Sequence, residues 1–284
     1  MHTHKGKDGI DYNIRWIPIG GYVAMAGEVY DDDDKIPKDR LLCNRPWWQR
    51  LIILCAGVTN NFIMAIVLLT VYAAIWGGGV IEPKIDYVTE DSAAAKAGMK
   101  ANDTILKIND YKIKNWDKAQ IVLYFKDKDG IYTFEVKHEN GEIEKLDVKP
   151  DMVKDEETGE ETRLFGIGMQ TANTESALNV IKYGFKKFGS VISSMYWTIY
   201  GLVSGKISLD ALSGPVGIYE VVGASFTLSV GYAIEYLVYI IAYLSVNVGF
   251  INILPFPAFD GYRAVITIIE KIIGKKVNQK VDIK

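Results

Sequence analysis

The stretch LIILCAGVTNNFIMAIVLLTVYAAIW, residues 51–76, decides how the rest of this chain is read. Its roughly 26 residues carry no charged side chain, enough for one helix to cross the ~30 Å hydrocarbon core of a bilayer with some tilt. Trp47, Trp48 and Trp76 stand near its two ends, where amphipathic rings favour the membrane interface. A spanning helix is predicted here. Lys35, Lys38, Arg40, Arg45 and Arg50 precede it, while the aspartates at 31–34 count little in the rule that basic residues stay inside. The amino-terminal side is therefore expected to be cytoplasmic. Gly77, Gly78 and Gly79 end the run and open a charged stretch on the other side.

Composition agrees with a chain that is part membrane and part soluble. Hydrophobic residues make up 49% of 284, and they concentrate in two runs rather than spreading evenly. The net charge of -3 offers no basic surface and argues against nucleic acid as a partner. Cys43 and Cys55 match no disulfide framework or metal spacing and are expected as free thiols. The first dozen residues lack the apolar core of a signal peptide, so insertion must rely on the internal spans.

Between residues 80 and 170 the pattern changes to short alternating runs, such as TILKI at 104–108, separated by Asn-Asp, Asp-Gly and Asn-Gly turns. Ser92 is placed to cap a short helix closing at Gly98, and Asn102-Asp103 turns into TILKI. TEDSAAAKAGMKANDTILKINDYKIKNWD resembles a PDZ domain of the kind found in bacterial proteases. The resemblance implies a β-rich fold that captures peptide termini by adding an extended strand to a sheet edge; a plain β-rich spacer is the other reading. From 174 to 229 we expect connecting helices, the first amphipathic and interrupted by Lys182, Lys186 and Lys187. The second apolar run, expected as a span over 230–260, is unusual in holding Glu235, Asn247, Asn252, Pro255 and Pro257. A basic cytoplasmic tail is expected over 261–284.

The chemistry concentrates in Asn252-Ile-Leu-Pro255-Phe-Pro257-Ala-Phe-Asp260-Gly261. Two prolines break a helix and free carbonyls that lipid cannot satisfy, so the stretch should line a protein cavity. An adjoining Asp marks an ion, proton or metal site, or else a span end in water. This NxxPxPxxDG pattern resembles the carboxy-terminal motif of the site-2-type intramembrane zinc metalloproteases, peptidase family M50, and in particular their bacterial sigma-factor-regulating group. In that resemblance Asp260 falls on the third zinc ligand. Phe259 stands where leucine is usual, and Tyr262 and Arg263 replace a frequent glycine and histidine.

Further segments carry the same likeness. YNIRWIPIGGYVAMAGE, residues 12–28, resembles the family's re-entrant β-hairpin, with a Gly20-Gly21 turn and an edge able to hold unwound substrate; a soluble hairpin is the alternative. CAGVTNNF, with Gly57, Asn61 and Phe62, resembles the start of the family's second helix, with Val58 in place of proline, although Asn61 could equally bond between helices. LSGPVGI at 212–218 also matches. The whole is identified as a mixed architecture: a polytopic α-helical membrane protein with an inserted β-rich PDZ-like domain, its termini cytoplasmic and that domain extracytoplasmic.

The implied activity is hydrolysis of peptide bonds in transmembrane segments, with substrates such as anti-sigma factors or signal-peptide remnants. Asp260 would hold Zn2+, and Asn252, Pro255, Pro257, Gly20 and Gly21 would contact substrate. Gly57, Asn61 and Gly261 would be structural. Catalytic zinc needs three protein ligands and a nearby carboxylate base, which the family takes partly from HExxH. That motif is absent from these 284 residues, whose histidines are His2, His4 and His138. His2 and His4 are two apart, a spacing that does not share a helix face. The expectation is thus an incomplete copy, its catalytic helix lying before Met1 and its last helix after Lys284, inactive alone. A non-catalytic membrane adaptor is the alternative.

Overall fold

The computed structural model describes residues 2–5, 11–14, 27, 37, 41–125, 130–154, 161–209, 229–257 and 259–275. They divide into two compact units, residues 1–55 with 255–284, and residues 56–254.

Among the described residues, two helices have the length and composition to cross a membrane: α1 (Trp47–Trp76) and, numbered in chain order, α5 (Val230–Ile253). Their surfaces are apolar and largely uncovered. Ile52, Ile63, Val67 and Ile75 on α1 and Ile234, Ile241 and Val248 on α5 are all exposed. An aqueous surface would not sustain so many large apolar side chains in continuous stripes, whereas lipid does. Helix α1 contains the predicted 51–76 run. Helix α5 stops short of the predicted residue 260, because Leu254 precedes Pro255 and takes an extended conformation (φ -67°, ψ 143°). Clash with a proline ring excludes the helical conformation from the residue before it.

Between the spans lies a sheet whose strands run in the order β10-β3-β4-β6-β7, with β5 also paired to β4. The strands are β3 (Val80–Val88), β4 (Thr104–Ile108), β5 (Tyr111–Lys112), β6 (Tyr132–Lys137), β7 (Ile143–Val148) and β10 (Ile167–Thr171). Alternation along β6 buries Tyr132, Phe134 and Val136, which join Ile85, Ile105, Ile108 and Val148 in one core. Helix α2 (Ala93–Ala97) is capped by the Ser92 hydroxyl, which accepts from the Ala95 amide, and ends at left-handed Gly98. Helix α3 (Trp116–Tyr124) is capped in the same way by Asn115. A two-stranded hairpin, β8 (Asp151–Lys154) with β9 (Glu161–Leu164), stands apart from the main sheet.

Helix α4 (Ala177–Val203), capped by Ser176, joins this domain to the spans. It packs on α3 through Lys187, whose ammonium donates to both oxygens of Asp117 at 2.7 and 3.0 Å and to the Val80 carbonyl at 3.2 Å. The Ser190 hydroxyl donates to the same carboxylate. On the membrane side, Gly184 lets α4 approach Thr70 and Ile66 of α1, and Phe188 meets Phe62 edge-on at 5.2 Å. Buried Gly249 of α5 also lies against the Phe62 ring.

The other unit holds a hairpin of β1 (His2–Lys5) and β2 (Asp11–Ile14), paired antiparallel from His2 opposite Ile14 to Lys5 opposite Asp11. It also contains helix α6 (Asp260–Ile273), where the sequence suggested only a basic tail. Arg50 at the start of α1 and Glu270 of α6 form a largely buried ion pair at 2.7 Å.

Candidate functional site

The proline-rich motif lies in the connection from α5 to α6. Asn252 occupies the last turn of α5 and is half-buried; Pro255 and Pro257 are exposed. The Phe259 amide donates to the Phe256 carbonyl at 3.2 Å, closing a turn from which α6 departs. Asp260 is the first residue of α6, half-buried, and Gly261 beside it is buried. Helix α6 has no side-chain cap at Phe259, so its first amides are left without one. Among the described residues neither Asn252 nor Asp260 has a hydrogen-bond or ion-pair partner.

Asn61 is half-buried in α1 and also makes no hydrogen bond among the described residues, so the interhelical bond that its amide could form is not present there. Gly57 is exposed, and the motif's packing role falls instead on Phe62, against Phe188 and Gly249. Gly20, Gly21, the remainder of the 12–28 segment beyond Ile14 and Gly27, and LSGPVGI lie outside the described residues.

The histidines distribute differently from the zinc expectation. His138, on the loop between β6 and β7, has Nδ1 at 2.8 Å from Asp103 and Nε2 at 3.1 Å from Glu144, so both ring nitrogens are engaged. Hydrogen bonding to Asp103, and then to Glu144, lifts its pKa above the ordinary imidazole value. His2 and His4 lie on a strand rather than a helix, so the helical-spacing argument does not apply to them. No group of three metal-ligating side chains occurs among the described residues. One carboxylate, Asp260, does not complete a catalytic zinc site. Cys43 and Cys55 are free thiols, as expected.

The β-rich domain offers a second feature, a groove of 1120 Å³ between the edge strand β10 and helix α3. Phe165, Gly166 and Ile167, Leu123 and Tyr124 of α3, and Met152 and Leu164 of the β8–β9 hairpin line it, together with the charged Glu90, Asp91, Asp151 and Arg163. Backbone bonds tie part of this lining together: the Thr89 amide donates to the Gly166 carbonyl and the Ala94 amide to that of Phe165. Arg163 stiffens the lining by donating to the Leu123 carbonyl at 3.0 Å and the Tyr132 hydroxyl at 2.6 Å.

A sequence profile of peptidase family M50 matches residues 1–283. The chain belongs to peptidase family M50. Among curated relatives, a protein of Clostridium acetobutylicum, named provisionally as a zinc metalloprotease, is 34% identical over 96% of this chain and 76% of its own length. The regulator of sigma-W protease RasP of Bacillus subtilis is 33% identical over 86% of this chain and 56% of its own. The zinc metalloprotease RasP of Bacillus licheniformis is 31% identical, with nearly the same coverage. This M50 peptidase is thereby a membrane zinc metalloendopeptidase of the site-2 type by family. Its two apolar helices are consistent with that class.

Proposed function

We propose that this M50 chain hydrolyses peptide bonds of membrane-spanning substrates, with Asp260 as one ligand of the catalytic zinc and the other ligands supplied by residues outside these 284. The observation that carries the reading is the family match over residues 1–283, within which Asp260 follows the paired prolines, half-buried and without a hydrogen-bond or ion-pair partner among the described residues. When bound, zinc would supply Lewis-acid activation of water and carbonyl. Asn252, also without a partner among the described residues, would hydrogen-bond the backbone of an unwound substrate, while Pro255 and Pro257 deny that stretch a helical path of its own. Gly20 and Gly21, outside the described residues, would also contact the substrate. Gly261, buried beside Asp260, would have a structural role there, and Gly57 and Asn61 would have theirs within α1.

The β-rich domain would act as a PDZ-like filter, taking peptide termini into the groove between β10 and α3 by strand addition. Its place beside the edge strand and the apolar Leu123, Met152, Leu164, Phe165 and Ile167 in its mixed lining support this role. Basic residues before α1 and after Asp260 support cytoplasmic termini, with the filter on the opposite side of the cell membrane. Anti-sigma factors and signal-peptide remnants are the substrate types that fit such an arrangement. A non-catalytic adaptor is favoured by one fact, the absence of HExxH from the 284 residues.

Membranes carrying the protein from its own gene, mixed with a single-span reporter, separate the two readings. Cleavage stopped by a zinc chelator and restored by added zinc is expected of the protease. Peptide capture without any chelator-sensitive cleavage sinks that reading in favour of the adaptor.

A further inference from the structure

Where the β-rich domain meets the ends of the two spans there is a second cavity, of 320 Å³. Tyr72 of α1, Trp116 and Gln120 of α3, and Tyr232, Glu235 and Tyr239 of α5 line it. Three features set it apart from a packing gap. First, aromatic rings dominate its wall, with Tyr72 and Tyr239 tilted against each other at 5.4 Å. Second, one of those rings already faces a cation, since the Lys187 ammonium stands 6.0 Å from the Tyr239 centroid. That ammonium is matched by Asp117, so it adds no uncompensated charge.

Third, the charge left over is Glu235. Among the described residues its one hydrogen bond is from the Tyr72 hydroxyl to Oε1 at 3.1 Å, and no basic group there pairs with it. A carboxylate beside several tyrosine faces is the chemistry that receives an ammonium group, because the ring quadrupoles and the anion attract the same cation. Tyr72 occupies one carboxylate oxygen. The remaining oxygen presents a single acceptor, which suits the point charge of lysine better than the two-pronged guanidinium of arginine.

The occupant is indicated by continuity. Trp116 and Gln120 line both this cavity and the groove between β10 and α3. A peptide leaving the groove past these two side chains would reach the cavity. We propose that the junction cavity is a lysine receptor, in which Glu235 and the surrounding tyrosines select substrates carrying a lysine between the segment held by the groove and the membrane-spanning segment. This rests on the groove reading given above and adds to it a chemical class of substrate.

The test uses the full chain in phosphatidylglycerol nanodiscs, which bring no ammonium lipid, and fluorescein-labelled peptides with an apolar carboxy terminus. A single lysine is scanned along the peptide and compared with acetyl-lysine and arginine at each position. At one position the lysine peptide binds about tenfold more tightly than its acetylated twin, the scale of a partly desolvated cation–π and charge contact. Glu235→Gln, which keeps the Tyr72 contact and the side-chain shape, removes that preference and leaves the acetyl-lysine affinity unchanged.

A preference that survives Glu235→Gln, or one equal for arginine and lysine at every position, overturns the proposal. If no peptide binds, the groove reading fails by itself, and the cavity is then read with n-butylammonium against n-butanol by tryptophan fluorescence. A saturable response to the amine alone, lost in Glu235→Gln, sustains the receptor without the groove; no response overturns it. Nanodiscs containing phosphatidylethanolamine that abolish the peptide preference would assign the cavity to lipid and refute the substrate lysine.

Discussion

Replacing Lys187 by Met should loosen the junction between α3 and α4 more than any other single change of similar volume. The Lys187 and Asp117 side chains are 6% and 12% exposed, and the ammonium holds three oxygen contacts, two of them on the carboxylate. Removing one partner of a buried ion pair costs about 3 to 5 kcal/mol, mostly because the other charge is left uncompensated. Here Asp117 keeps the Ser190 hydroxyl and borders an open cavity, so some solvation returns. The expected loss falls to about 2 to 3 kcal/mol, roughly a 30- to 150-fold shift toward the undocked arrangement. Hydrogen exchange of the full chain in nanodiscs reads this as faster exchange in α3, α4 and the start of β3. Lys187→Met combined with Asp117→Leu should recover at least about 1 kcal/mol of the sum of the two single losses, since no charge then stays buried. Unchanged protection in Lys187→Met, or strict additivity in the pair, would show that the ion pair does not hold the junction.

Three further outcomes follow from the geometry. Gly166→Ala, at φ +76° and with a Cβ that would fall 2.1 Å from Cβ of Ser92, should destabilise the β-rich domain by at least ~1 kcal/mol and weaken peptide capture; thermal unfolding and peptide anisotropy measure both. Gly184→Ala would set a Cβ 2.1 Å from the Thr70 hydroxyl and 3.1 Å from the Ile66 carbonyl, forcing α4 off α1 at a cost of about 1 to 3 kcal/mol in detergent unfolding. His138 has a raised pKa in the fold, so its contribution to stability is full below the ordinary imidazole range and fades as pH rises through the raised value; His138→Gln should flatten that dependence in exchange rates of β6 and β7.

What the sequence disclosed tracks how local the signals are. The uncharged 51–76 run, the Ser92 cap, the Gly98 stop and the strand TILKI all lie within a few residues of their causes, and the structure places them as read. The α5 boundary was set too late because Pro255 constrains Leu254 before it interrupts any hydropathy window. The helix α6 was obscured by counting Arg263 and Lys271 as a tail, although Gly261, Thr267 and Glu270 form its buried face. Lys187 was read as a polar interruption of an amphipathic helix. Its partner Asp117 is 70 residues away, and no periodicity reports such a contact. The candidate site can be proposed from sequence as a motif because Asn252, Pro255, Pro257 and Asp260 fall close together in one short stretch. The junction cavity cannot, because α1, α3 and α5 each contribute only a few residues to it.

Asp260 is proposed to hold the catalytic zinc. Zinc-to-protein stoichiometry, measured on the protein purified from its native membranes alongside cleavage of a single-span substrate, tests it most directly. The account predicts about one zinc per chain in the unaltered protein, with both zinc and cleavage lost in Asp260→Ala. Full zinc content and undiminished cleavage in Asp260→Ala would contradict it.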